Sequence, residues 1–538
     1  MKKATILLSM IFMSSIALFG QLQTGEKIAV TDTEYGKVRG FISNGIFTYK
    51  GIPYGEAKRF ETATKPKSWE GVRSSLSWGP VAPLLTPTTS VMDESEFVFN
   101  HDWGYDSENC LVLNVWTPGI NDGKKRPVMF WIHGGGFTAG SSQELPSYHG
   151  ENLAKKGDVV VVSINHRLNI LGFLDLSAYG EKYKSSANNS IVDMRMALEW
   201  VRDNISNFGG DPDNVTIFGQ SGGGAKVNTL MAMPSAKGLF HKAINQSGAF
   251  RSGILEKQTT QAVAKEVLKE LGISAKKVDQ IQEVPFDVLA QAGQKALATV
   301  GEKLRAEGKT LSAFGLNWGP SVDGNVLPYQ MHAKEALALS KDVPLMIGTV
   351  KNEFMPSMRA GLTHASMPQI EEYIKNQYKE KADDYIAAAK KAYPDAKMPS
   401  DLIDIDLLFR PGSVFQANTK SALNGGAPVY MYLFTWQSPV MDGKYKALHC
   451  MELPFVFNNI KRCKEMTGGT VEAEALAQIV SQSWINFARF GDPNQKDLPK
   501  WEKYSEKNGA TMMFDNTCQL RYHPDQELLK VVQANTNR

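Results

Sequence analysis

Gly219-Gln220-Ser221-Gly222-Gly223 sets a serine between glycines two residues to either side, directly after the apolar run Val215-Thr216-Ile217-Phe218. A hydroxyl on a sharp strand-to-helix turn is presented for attack on a carbonyl, and side chains at the flanking glycines would collide with that turn. The helix N-terminus that follows offers backbone N–H groups to a developing negative charge. A G-x-S-x-G arises by chance in roughly one of four chains this rich in glycine, so the pattern alone decides little. A second stretch supplies the rest of the chemistry. His133-Gly134-Gly135-Gly136-Phe137 ends another apolar run, Val128 to Ile132, and such a turn exposes consecutive N–H groups suited to a tetrahedral oxyanion. Gly134-x-Gly136-x-x-Ala139 also matches a dinucleotide fingerprint in form. That reading needs an acid ending the next strand, but Asn165 ends it and Asp158 precedes it.

Both turns require a rigid platform. Short β-branched runs recur at Val128 to Ile132, Val159 to Ile164, Val215 to Phe218, Lys242 to Asn245, Val343 to Ile347 and Val429 to Phe434. Continuous apolar runs of this length suit strands buried on both faces, as in a parallel sheet. Between them lie helix-period segments such as Asn189 to Asn204, with Ile191, Met194, Ala197, Leu198 and Val201 on one stripe. Strands alternating with helices predict an α/β sheet covered on both sides. Lys58 to Asp106, Gln258 to Lys309 and Gly361 to Pro411 read as insertions, the last two mainly helical.

The 538 residues carry 59 Lys plus Arg against 56 Asp plus Glu, a net charge of +3, with 42% hydrophobic residues. Without a basic run, the charge footprint of a nucleic-acid binder is missing. Four cysteines cannot build a disulfide scaffold or a paired CxxC zinc site. Lys2 and Lys3 precede a short apolar core from Ala4 to Gly20 and then polar Gln21 to Glu26, the pattern of a secretory signal. The run is shorter than the roughly 20 apolar residues of a membrane span. The expected organisation is a signal over residues 1–20 and one domain over 21–538. Export to a periplasm or the medium follows, with no membrane span after signal removal.

Further stretches carry a resemblance. They are Glu108-Asn109-Cys110-Leu111-Val112-Leu113-Asn114-Val115-Trp116, Asn165-His166-Arg167-Leu168-Asn169-Ile170-Leu171-Gly172-Phe173, Phe208-Gly209-Gly210-Asp211-Pro212-Asp213-Asn214-Val215-Thr216 and Gly319-Pro320-Ser321-Val322-Asp323-Gly324. With the two turns, they resemble the type-B carboxylesterase family, which includes bacterial nitrobenzyl-ester hydrolases and cholinesterases. The likeness runs from about Ala29 to Pro524. It implies the α/β-hydrolase fold: a mostly parallel, twisted central sheet flanked by helices, with large helical insertions over the active site.

Carried over by residue, the resemblance implies Ser221 as nucleophile and Gly135, Gly136 and Gly222 as oxyanion donors. The fold orders its triad as nucleophile, acid, histidine. Of the histidines after Ser221, His241 adjoins a buried strand, His332 and His364 sit in helical or insertion-like segments, and His523 is in the tail. His449 follows the run Val429 to Phe434 through a loop, leads into Glu452-Leu453-Pro454-Phe455, and resembles the family's histidine motif. Gly348-Thr349-Val350-Lys351-Asn352-Glu353 resembles the acid motif, which makes Glu353 the expected acid. Glu452 is a rival only three residues past His449.

The chain departs from the family's usual pattern in places. Gln220 stands where glutamate is usual before the serine, which predicts a shifted pH optimum. Gly222 replaces the usual alanine after the serine, and Phe354 the usual glycine after the acid. Cys110 lacks its usual upstream partner, and Cys450 and Cys463 are close enough in sequence to be joined by a disulfide in an exported protein. Candidate pocket residues are Phe137, Gln220, Ser247, Phe250, Trp318, Phe354, Met355 and Met358. Apolar, Met-containing walls suit short to medium acyl or aryl esters. The expected partner is a small-molecule ester, with no cofactor, no metal and no nucleic acid, for a monomer or weak dimer. Carbamates, amides or a particular natural-product ester fit the same triad, since substrate choice lives in pocket shape. A non-catalytic adhesion module of the same family would have lost the serine.

Overall fold

The computed structural model describes residues 22–84, 93–249, 253–312 and 315–536. The expected export signal over 1–20 and the pocket candidate Phe250 lie outside the described residues. Twelve strands form one sheet. In chain order they are β1 (Leu22–Gln23), β2 (Phe41–Ser43), β3 (Ile46–Pro53), β4 (Val112–Thr117), β5 (Arg126–Ile132) and β6 (Val160–Ile164). The second half supplies β7 (Gly210–Gln220), β8 (Lys242–Gln246), β9 (Leu345–Val350), β10 (Val429–Phe434), β11 (Ala510–Phe514) and β12 (Gln519–Tyr522). Their spatial order is β1-β2-β3-β4-β6-β5-β7-β8-β9-β10-β11-β12. From β6 to β11 in that order the pairings are parallel. Antiparallel strands close both edges. The mostly parallel α/β sheet read from the sequence is the sheet observed.

The apolar runs become central strands because both of their faces are covered. Along β5, Val128, Phe130 and Ile132 enter one core cluster, whereas Met129 and Trp131 enter another on the opposite face. Along β6, Val160, Val162 and Ile164 alternate with Val161 in the same way. Period-two alternation between two cores, rather than between core and water, is why these strands read as unbroken apolar runs. Each fully buried Val, Ile or Phe contributes about 1.5–3 kcal/mol of burial.

Helix α1 (Asn189–Asn204) has the predicted bounds and buries the predicted stripe against the first core. Helix α2 (Gly222–Met231) lies on the same face. The insertion helices α3 (Lys257–Glu270) and α4 (Phe286–Ala306) share a small core of their own. So do α5 (Met367–Tyr378) and α6 (Ala382–Ala392). Helix α7 (Val471–Phe490) covers the second face with Leu476, Val480 and Trp484. Among the described residues no helix is long and apolar enough to cross a membrane.

Candidate active site

Four loops leave the carboxyl ends of parallel strands and turn toward one cavity of about 1670 Å³. The loop after β5 brings Gly135 and Gly136, β7 ends one residue before Ser221, the loop after β9 brings Glu353, and a longer one after β10 brings His449. Neighbouring parallel strands all point the same way, so their end-loops meet; this is the usual ligand side of such a sheet.

Ser221 sits at φ +56°, ψ −123°, a conformation that costs energy in any residue with a side chain. Its N–H donates to the Gln246 carbonyl at 2.8 Å, which ties the elbow to β8. The flanking glycines are steric requirements. A Cβ on Gly219 would lie 2.5 Å from the Gly223 carbonyl carbon, and one on Gly223 would lie 2.1 Å from the Ile132 oxygen. Helix α2 starts immediately after Ser221, and its N-terminus carries about half a positive charge toward the cavity.

Gly135 and Gly136 have φ of +76° and +61°. The Gly135 carbonyl accepts from Ala139 N–H at 3.0 Å, which folds the loop back on itself. Among the described residues, neither the Gly135 nor the Gly136 N–H donates to a protein acceptor. Both glycines line the cavity with Ser221 and Gly222. Gly222 packs directly beneath the loop: a Cβ there would lie 2.3 Å from the Gly136 oxygen and 2.4 Å from its nitrogen. The alanine that the family resemblance leads one to expect at this position therefore does not fit this chain's loop as it stands. Gly222→Ala is expected to lower kcat/KM by about 10²-fold, the scale of losing one oxyanion donor. An unchanged kcat/KM for p-nitrophenyl butyrate would show that the loop gives way without consequence.

Glu353 is buried, with Oε1 accepting from Val350 N–H at 3.1 Å and Oε2 bonded to His449 Nδ1. The two loops are sewn together behind this pair. His449 N–H donates to the Glu353 carbonyl at 3.1 Å, and Asn352 and Ala447 exchange two hydrogen bonds. Burial raises the Glu353 carboxyl, opposed by the Ser247 hydroxyl and Val350 N–H. Burial also holds His449 well below the usual imidazole range, opposed by Glu452 and Asp406. An Nδ1–H directed at the carboxylate leaves Nε2 with its lone pair, the form a general base needs. Ser221 Oγ and His449 face the same cavity without a hydrogen bond between them, a contact that commonly tightens only when substrate is bound.

The other pocket candidates divide. Phe137, Gln220, Trp318 and Phe354 line the cavity. Ser247, Met355 and Met358 do not, which corrects the sequence reading. Ser247 is fully buried at the end of β8, where it faces Glu353. Met355 and Met358 belong to the second core, because the short helix Pro356–Ala360 turns the chain inward past Phe354. All four cysteines are free, so Cys450 and Cys463 are not joined. The Cys450 thiol donates to Gln220 Oε1 at 3.2 Å, while Cys463 is buried at the start of the helix Lys464–Thr467. Glu452 is no rival acid: its Oε1 accepts from Gln246 at 3.1 Å. His241 is structural, with its ring nitrogen 3.1 Å from Val215 N.

Sequence reasoning missed Phe409. Its ring packs against His449 at 5.5 Å between centroids, beside Phe354 at 4.6 Å. Nothing in local sequence links residue 409 to residue 449; only the fold does. The Gln220 amide nitrogen lies 3.3 Å from both His449 ring nitrogens. A carboxylate there would favour the imidazolium, so Gln220→Glu is expected to raise the acid limb of the kcat/KM profile by about one unit or more. In the wild type, burial lowers the imidazole pKa, so the base form and with it activity are expected to persist below the usual 6.5. Superimposable acid limbs for the two proteins would refute this.

The carboxylesterase family profile matches residues 27–531. Para-nitrobenzyl esterase of Bacillus subtilis (strain 168) is 34% identical over 508 residues, covering 93% of this chain and 97% of that protein. Phenmedipham hydrolase of Pseudarthrobacter oxydans is 31% identical, covering 90% and 94%. Among solved structures, an esterase from anaerobic Clostridium hathewayi, reported to hydrolyze aliphatic aromatic polyesters, superposes with a TM-score of 0.82 at 36% identity, covering 94% of this chain and 98% of that one. The likeness thus runs along nearly the whole of these enzymes, and the chain belongs to the carboxylesterase family, a carboxylic ester hydrolase of the α/β-hydrolase fold.

Proposed function

We propose that this hydrolase acts through Ser221, His449 and Glu353 on short to medium acyl or aryl esters, by way of an acyl-enzyme. The observation that carries the reading is His449, bonded from behind to the buried Glu353, lining the same cavity as Ser221 and the Gly135–Gly136 turn. His449 Nε2 takes the Ser221 hydroxyl proton as the oxygen attacks the ester carbonyl carbon. The N–H groups of Gly135, Gly136 and Gly222 receive the oxyanion. Collapse breaks the bond to the alcohol, which leaves with the proton from Nε2. Water then gives its proton to Nε2, attacks the acyl-serine, and releases the acid with Ser221 reprotonated.

The aromatic wall of Phe137, Trp318, Phe354, Phe409 and Phe415 supports aryl and other flat acyl or alcohol groups. The nitrobenzyl and aromatic substrates in the names of two relatives agree with that chemistry. Treatment with a fluorophosphonate followed by peptide mass spectrometry is expected to label Ser221 alone. A p-nitrophenyl panel of acetate, butyrate, octanoate, palmitate and benzoate is expected to favour every shorter ester over palmitate. A label elsewhere sinks the nucleophile, and a palmitate optimum sinks the substrate class. Export through residues 1–20 belongs to the same proposal; N-terminal sequencing that finds Met1 on mature protein would refute it.

A further inference from the structure

Helix α2 carries one charged side chain that neither the turn chemistry nor the fold explains. Lys226 stands five residues after Ser221 and is fully buried. Its Nζ donates to the His133 carbonyl at 3.0 Å and to the Gly134 carbonyl at 3.3 Å. Burial disfavours the ammonium and lowers its pKa to about 7, and Nζ is bonded to two carbonyl oxygens rather than to a carboxylate. Glu144 is the acid whose charge reaches it, and the lysine's own charge in turn reaches the buried His133 and His166 rings.

We propose that Lys226 is a positioning residue for the oxyanion hole: by holding the Gly134 carbonyl from beneath, it aims and polarises the Gly135 N–H. The Gly134 carbonyl and the Gly135 N–H belong to a single peptide unit, which is planar and trans, so the two groups point in opposite directions. An anchor on the carbonyl inside the protein therefore fixes the N–H outward, into the cavity that Ser221 lines. The anchor is doubled, because His133 Nδ1 also lies 3.0 Å from the Gly134 oxygen. A loop of three consecutive glycines has little stiffness of its own, so this peptide plane needs an external hold. An Nζ–H donor on the carbonyl, most strongly in its protonated form, also draws electron density from the amide and strengthens the N–H as a donor; chained hydrogen bonds reinforce one another this way. One helix thus carries the nucleophile at its N-cap, the Gly222 N–H in its first turn, and the residue that aims a second donor.

The inference rests on the proposed serine mechanism, and the test separates the two. Lys226→Met keeps the side chain's length and removes its donors; Lys226→Gln keeps a donor and removes the charge. Both are compared with wild type and Ser221→Ala for kcat, KM and inhibition by an alkyl trifluoromethyl ketone, whose adduct with a serine carries an oxyanion. Folding is checked by circular dichroism. For Lys226→Met the expected result is a kcat loss of about 10–10²-fold, below the 10²–10³ of deleting a donor outright. KM should stay within about twofold, and the inhibitor's Ki should rise by the factor that kcat/KM falls, since only a transition-state contact moves the two together. Lys226→Gln should recover part of both. If the methionine variant does not fold, the glutamine variant is read by the same criteria. A folded variant with wild-type kcat, or one that changes KM while Ki stays put, overturns the inference while an inactive Ser221→Ala leaves the serine mechanism standing. Wild-type rates in Ser221→Ala would overturn both.

Discussion

Replacing Ser221 with alanine is expected to lower kcat for p-nitrophenyl butyrate by about 10⁴–10⁶-fold with KM little changed. The substitution is clean for structural reasons. Ser221 already holds a Cβ at φ +56°, so alanine inherits the same strained backbone and the same contacts with the elbow. Only the hydroxyl is lost, and that hydroxyl makes no hydrogen bond that the fold depends on. The melting temperature should therefore stay within about 2 °C of wild type. What survives is the N–H array of Gly135, Gly136 and Gly222, which polarises a bound ester toward water attack; in other serine hydrolases such a remnant still gives about 10³–10⁴ over the uncatalysed rate. A variant that retains more than about a hundredth of wild-type kcat would mean that another group forms the acyl intermediate or that water attacks directly. The fluorophosphonate label then says which, because direct water attack leaves no labelled residue.

The central strands were legible because burial on both faces makes an unbroken apolar run, and such runs at 128–132, 160–164 and 429–434 have few other readings. The antiparallel strands β1 to β3 were not, since β1 and β2 span two and three residues and β3 is broken by Lys50 and Gly51, so none carries a clear period. β11 was missed for another reason: Ala510 to Phe514 follows a polar, Lys-rich loop and contains neither Val nor Ile, so it lacks the β-branched apolar signature of the other runs. The elbow and the glycine turn were readable because steric demands confine them to a few residue types. The side chains around His449 were not. Phe409 arrives from an insertion and Gln220 from the elbow, and their meeting depends on Asn352 and Asp406 pinning three loops together. Met355 and Met358 misled because an apolar residue beside a catalytic loop reads the same whether it faces the cavity or the core. The backbone turn at Pro356 separates those outcomes, and its direction is not written in the two methionines. Lys226 illustrates the converse, a charge in a small-residue helix whose partners, the carbonyls of residues 133 and 134, lie on another strand's loop.

Glu353→Gln is expected to lower kcat by about 10⁴-fold, with little effect on KM. Glutamine matches the carboxylate in size, so Val350 N–H keeps an acceptor and the loop keeps its shape. The electronics change in two ways. The imidazolium formed as His449 takes the serine proton loses its adjacent negative charge, in a site where burial already disfavours that cation. An amide NH₂ turned toward Nδ1 also stabilises the other tautomer, which places a proton on Nε2 and leaves no lone pair to accept one from Ser221. Two nearby carboxyls are unable to stand in. Glu452 is held by Gln246, which is itself fixed by Trp484 Nε1 at 3.1 Å. Asp406 accepts the backbone N–H groups of Leu408, Phe409 and Arg410 at 2.7–2.9 Å, so its oxygens are committed to shaping the Phe409 loop. Glu452→Gln, as a control, should cost about tenfold or less, because it removes a charge that favours the imidazolium without removing the hydrogen-bond partner of Nδ1. If the two variants reversed in severity, the orienting acid would be Glu452. Equal and mild losses would mean that His449 is held by its backbone and aromatic neighbours alone, and that the carboxylate stabilises the fold rather than the reaction.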